Sequence, residues 1–209
     1  MAIVSRIKIY LIVFFLLFSG ITNASAQPDN YFNKVTVGAE LGNWVPNDLN
    51  RLNTSVALKI DQESIYSAIY AQLPMSKNLI LRLTGGYFYY EESNQQHEAI
   101  YRDQSIIIIP VLLDIKYMLL TETRISPYVS YGVGVNFGFE NRNHFSFLSD
   151  KYDHFTFGVN LGTGLDFLVT HHISLGIEFR YHYLEFPDNF IFTNNYSGTK
   201  INIALGYLF

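Results

Sequence analysis

The chain has 209 residues, of which 15% are charged and 16% aromatic, and it contains no cysteine. A soluble domain carries about 25% charged residues, so this composition argues against an ordinary water-soluble fold, and the missing cysteines exclude disulfides, thiolate metal sites and cysteine nucleophiles together. The formal charge of −4 speaks against nucleic acid as a partner, because phosphate binding needs a basic stripe.

The first 26 residues read as a targeting leader. Arg6 and Lys8 form a basic start, Ile9 to Phe18 is an apolar run of ten residues, and Ala24-Ser25-Ala26 is a small-x-small cleavage site. The run is shorter than the ~20 apolar residues of a membrane-spanning helix. Cleavage after Ala26 would leave a mature chain of Gln27–Phe209 with 12 basic and 18 acidic residues, a net charge of −6. No cysteine stands at the cleavage site, so a lipid-anchored form is not expected.

The mature part alternates apolar residues with small or polar ones, the period-2 pattern of strands. Strand one is expected over Lys34–Val45, with Val35, Val37, Ala39 and Leu41 on one face. Strand two covers Glu63–Leu73, and its facing stays open because Ile65/Ile69/Leu73 and Tyr66/Tyr70 could each be the apolar face. Strand three, Asn78–Glu91, sets Leu79, Leu81, Leu83, Tyr87 and Tyr89 against Arg82, Thr84, Gly86 and Tyr90. Strand four, Gln104–Leu119, sets Ile107, Ile109, Val111, Leu113, Ile115 and Tyr117 against Pro110, Asp114 and Lys116.

Strand five, Ile125–Glu140, alternates most cleanly: Val129 to Phe139 on the odd positions, Ser130, Gly132, Gly134, Asn136 and Gly138 on the even ones. Strand six opposes Phe155, Phe157, Val159, Leu161, Leu165 and Phe167 to Gly158, Asn160, Gly162, Gly164 and Asp166. Strand seven opposes Ile173 to Tyr183 to Ser174, Gly176, Glu178, Arg180 and His182, and strand eight opposes Ile201, Ile203, Leu205, Tyr207 and Phe209 to Lys200, Asn202, Ala204 and Gly206.

The connections alternate as well. Pro74–Lys77, Leu120–Arg124 and Val169–His172 are short, whereas Pro46–Gln62, Glu92–Asp103, Asn141–Tyr152 and Glu185–Gly198 are long and polar. Short periplasmic turns and long external loops characterise outer-membrane barrels. The expected fold is therefore all-β: an eight-stranded antiparallel up-and-down transmembrane barrel behind a cleaved signal peptide, with both termini periplasmic. A soluble eight-stranded barrel would alternate too, but it would fill its wet face with Lys, Glu, Asp and Arg. Here that face is mostly Gly, Ser, Asn and Thr, and the apolar face of strands three to eight carries no charge. That absence fits a bilayer, where a midplane Arg or Lys costs about 2–4 kcal/mol.

By parity the inward charges are Glu40, Arg82, Asp114, Lys116, Asp166, Glu178 and Arg180. Four acids and three bases in a lumen only wide enough for side chains are expected to pair and fill it, because isolated buried charges are strongly unfavourable. A narrow channel is the alternative. The glycines of strands five and six leave room for inward bulk such as Phe88 and Tyr90. Catalytic groupings are thin: His171-His172 lies in a turn, and His97 and His144 lie in loops. No cofactor or metal is implied. The expected partners are outer-membrane lipid, lipopolysaccharide, the barrel-insertion machinery and a protein bound at the external loops, where Phe145-Ser146-Phe147-Leu148 and Phe186 to Phe192 mix aromatic and polar residues.

Two resemblances bear on this. The last residues, Ile201 to Phe209 with Tyr207 and a terminal Phe209, look like the signal by which outer-membrane barrels are recognised for assembly. With Ile109-Pro110-Val111-Leu112-Leu113-Asp114-Ile115-Lys116-Tyr117, Ile125-Ser126-Pro127-Tyr128-Val129 and Gly132-Val133-Gly134, the chain resembles the outer membrane protein β-barrel domain family, the PorT-like or porin-family small barrels. The likeness implies fold more than chemistry. Arg180-Tyr181-His182-Tyr183-Leu184-Glu185 also faintly resembles the histidine region of outer-membrane lipid A deacylases. Leu184 stands where they carry the serine, so a lipid A-modifying enzyme lacks its nucleophile; Ser197 is the remaining candidate.

Overall fold

The computed structural model describes residues 34–48, 62–93, 103–121, 123–144, 148–186 and 193–209. The expected leader over residues 1–26, His97, the Phe145–Phe147 stretch and the tip of the last loop lie outside the described residues.

Eight antiparallel strands form one closed barrel in chain order: β1 (Thr36–Pro46), β2 (Gln62–Pro74), β3 (Leu79–Ser93), β4 (Asp103–Met118), β5 (Ile125–His144), β6 (Leu148–Leu168), β7 (Ile173–Leu184) and β8 (Gly198–Leu208). Closure comes from β1 and β8, which pair from Thr36↔Leu208 to Pro46↔Gly198. It leaves no strand with an unpaired row of amides in the bilayer, where such groups have no water to bond.

The pleat sends alternate residues to opposite sides. Along the middle of the strands, where side chains are described, no outward-facing residue is charged, and Leu41, Ile69, Val133, Phe157, Leu161, Ile203 and Leu205 are all more than half exposed. In water such a surface would be a continuous apolar patch; against lipid it is the side that belongs outside. The structure resolves the facing of β2. Ile65 and Ile69 point outward, while Tyr66, Ala68 and Tyr70 are buried inside.

One expectation is overturned. Asn141–Tyr152, expected as a polar loop, continues the β5–β6 ladder through Asn141↔Lys151, Arg142↔Asp150, Asn143↔Ser149 and His144↔Leu148. A hairpin that stands beyond the lipid has no apolar side to keep, so the period-2 signal ends where the hydrogen bonding does not.

Candidate functional site: a filled lumen under an aromatic mouth

The interior is layered. Its middle is ionic. Arg82 pairs with Glu40 and, at 3.2 Å, with Glu178. Arg180 Nη2 donates to both Glu178 oxygens at 2.8 and 3.0 Å, and Arg180 Nη1 lies 3.1 Å from Asp114 Oδ2. This makes one chain, Glu40–Arg82–Glu178–Arg180–Asp114, drawn from four strands, β1, β3, β4 and β7. Lys116 pairs with Asp166 beside it. Neutral groups take up further lone pairs: Asn160 Nδ2 donates to Asp114 Oδ1 at 2.8 Å and the Ser130 hydroxyl to Glu178 at 3.4 Å. Two of these cations rest on rings, Arg82 4.4 Å from the centre of Tyr70 and Lys116 3.7 Å from that of Tyr128. Charge-assisted, multiply bonded pairs of this kind are the form in which buried charges persist.

Apolar clusters lie toward both ends. Ile80, Met118, Tyr128, Leu168 and Leu208 pack together at the end that holds Thr36 and Leu208. At the opposite mouth Trp44, Tyr66, Phe88, Tyr90, Ile106, Ile108, Leu184, Phe186 and Tyr196 form a larger cluster. Phe186 and Tyr196 enter it from the two described ends of the β7–β8 connection. Phe186 N donates to Asn194 O at 2.8 Å and Tyr196 N to Leu184 O at 2.9 Å. Glycine in the wall makes such crowding possible: a Cβ on Gly132 would lie 2.0 Å from Asp114 Oδ1, and one on Gly158 2.9 Å from both Asn136 Nδ2 and His182 Nε2.

All seven charges inferred by parity thus meet in the lumen, and two further ionisable groups belong there. Lys200, omitted from the inward count, is fully buried with its ammonium 4.1 Å from the centre of the Trp44 ring and 4.3 Å from that of Tyr66. It raises the three expected bases to four. Glu140 is buried near the mouth, 3.1 Å from His154 Nε2. The signal for both was available, since Lys200 shares the parity of Asn202 and Glu140 that of Asn136 and Gly138.

The catalytic candidates do not assemble. The His182 ring stacks on Trp44 at 5.2 Å, and neither of its nitrogens has a hydrogen-bond partner among the described residues. The Ser197 hydroxyl instead accepts from Leu184 N at 3.0 Å and donates to Leu184 O at 3.3 Å. His171 and His172 sit exposed in the β6–β7 turn, where His172 stacks on Tyr207. At the C-terminus Phe209 is 69% exposed against the edge of Tyr207, and Phe209 N donates to Val35 O at 3.0 Å.

The sequence matches the outer membrane protein beta-barrel domain family over residues 14–209. No curated protein matches it. Among solved structures it is similar to OprG of Pseudomonas aeruginosa, with 13% identity, a TM-score of 0.57 and coverage of 85% of this chain and 96% of that one. A major outer membrane protein of Thermus thermophilus gives 13% identity, a TM-score of 0.56 and coverage of 84% and 98%. Neisserial surface protein A gives 15% identity, a TM-score of 0.51 and coverage of 84% and 96%. At such identities the likeness is one of fold. Together, the closed eight-stranded barrel, the uncharged apolar belt around its middle and the family match place the protein in the bacterial outer membrane, and the chain belongs to the outer membrane protein β-barrel domain family.

Proposed function

We propose that this protein is a non-enzymatic, non-conducting barrel: a rigid platform that holds its external loops above the membrane for contact with a protein partner or lipopolysaccharide. One observation carries this reading. The paired ions of the lumen lie between two apolar layers, and a hydrated ion would have to shed water at each layer without gaining a ligand. Binding residues sit disproportionately on loops supported by a stiff scaffold, and here the scaffold is filled with side chains. The leader over residues 1–26 is removed on export, and both termini are periplasmic.

Purified protein in planar bilayers is expected to show no steady current in about 1 M potassium chloride, since the filled lumen offers an ion no hydrated path. A reproducible open level in the unmodified protein would overturn the plug and support the narrow channel.

Tyr207 and Phe209 serve as the assembly signal, supported by the alternating last strand and the exposed terminal ring. Deleting Phe209 is expected to reduce folded barrel in outer membranes severalfold in cells while the purified chain still refolds in detergent. Equal cellular yields of the two forms would show that the insertion machinery does not use this ring.

A further inference from the structure

The lipid-facing wall is uneven between β3 and β7. Strand register lines its outward residues into two neighbouring rows across the strands. One runs Gly85, Val111, Val135, Phe157; the other runs Leu83, Leu113, Val133, Val159, Tyr183. The middle of both rows is built from short side chains, four valines, with Phe157, Tyr183, Leu83 and Leu113 standing around them. The result is a trough that encloses about 470 Å³ and is lined almost wholly by carbon. It runs on toward Gly85, where a Cβ would have nothing within 4 Å.

Three properties of the trough decide what fits it. First, its length is three to four inter-strand steps of ~4.8 Å, roughly 14–19 Å, which matches one leaflet of a hydrocarbon core about 30 Å thick. Second, it climbs. Leu83 lies four residues in from the start of β3, counted from the end of the barrel that holds Thr36 and Leu208, and Tyr183 is one residue from the far end of β7. Third, its upper end is polar: the Tyr183 hydroxyl donates to Glu185 Oε2 at 3.3 Å. A second copy of the chain fits poorly, because a two-fold contact needs a surface complementary to itself and this patch is a hollow without a matching ridge.

We propose that the trough is a binding site for one acyl chain of an outer-leaflet lipid, with the lipid head group at Tyr183 and Glu185. The inference rests on the orientation given above, with the termini periplasmic. Apolar floor, inclination and polar upper end coincide only for a chain that descends from the external side. The valines set the depth: a larger residue in either row would replace the lipid with protein.

The test is native mass spectrometry of the full barrel refolded into phosphatidylglycerol vesicles and, separately, into vesicles containing lipopolysaccharide, then transferred to detergent. The unmodified protein is expected to retain one lipid. Gly85→Leu combined with Val135→Phe is expected to lower that occupancy at least tenfold, while Ile203→Phe, on the opposite wall, leaves it unchanged. Heat-dependent gel mobility verifies that each variant is folded. Whichever vesicle supplies the retained lipid identifies the head group. No retained lipid in the unmodified protein, or equal retention in the filled variant, would sink the proposal, as would a dimer that the filled variant abolishes. Labelling Ser149→Cys in intact cells separates the two readings. An unlabelled hairpin refutes the orientation, whereas a labelled hairpin without retained lipid refutes the trough alone.

Discussion

Replacing Arg180 with methionine should lower the unfolding free energy of the refolded barrel by about 3–5 kcal/mol, the usual cost of removing one partner from a buried ion pair. Arg180 is the junction of the lumen network. It holds both oxygens of Glu178 and one of Asp114, and its side chain is fully buried. Methionine fills much of the same space, so the loss reports on the stranded carboxylates rather than on a cavity. Combining it with Glu178→Gln and Asp114→Asn should recover part of the loss, because the neutral amides no longer demand a counter-charge. Lys200→Met should change stability by no more than about 1 kcal/mol. That ammonium has aromatic faces but, among the described residues, no carboxylate in contact, so its cation–π attraction, roughly 0.5–2 kcal/mol, is set against its own desolvation. Urea unfolding in detergent, followed by the fluorescence of the single tryptophan Trp44, measures all of these variants. A loss below about 1 kcal/mol for Arg180→Met, well under the usual cost, would mean that apolar packing, not the ion network, holds the interior together.

The fold was legible because the bilayer writes it on one face. Along β5, Val129 to Phe139 meet lipid and Ser130 to Gly138 do not, and no charge interrupts the outer series. The same rule misjudges the lumen where it is apolar. Tyr66 and Tyr70 on β2 left the facing of that strand open because an aromatic residue suits the lipid interface and a buried cap equally well. The outer cap was also marked in the sequence. Ile106-Ile107-Ile108-Ile109 is apolar on both faces, and the structure buries Ile106 and Ile108 inside. A strand that is apolar on both sides touches lipid with one and a dry interior with the other, so such a run in a small barrel locates the plug. The ionic layer was visible residue by residue, through parity. Its connectivity was not, since pairs such as Arg82–Glu178 join residues far apart in sequence whose meeting depends on the stagger of a closed sheet. The trough depends on register as well. No stretch of sequence places Val111 beside Val135 or Val159 beside Tyr183; the ladder does.

The second large effect is expected at the mouth. Phe186→Ser combined with Tyr196→Ser should destabilise the barrel by about 3–5 kcal/mol or more, the loss typical of deleting one large buried aromatic side chain, yet leave it closed to ions. Both rings are essentially unexposed, and they meet edge to face at 5.9 Å beneath a segment tied to Leu184 by backbone bonds. Serine at both positions removes the rings and opens the apolar cluster at the mouth. Below it the Arg82–Glu178–Arg180–Asp114 chain still fills the cross-section, and Ile80, Met118, Tyr128, Leu168 and Leu208 still close the other end. Water should therefore reach Trp44 in the variant, seen as a red-shifted emission, without a current across a planar bilayer. The two readouts must separate. If red shift and steady current arrive together, the aromatic mouth is the sole barrier, the ion layer is permeable, and the protein is a gated pore whose gate is the β7–β8 segment.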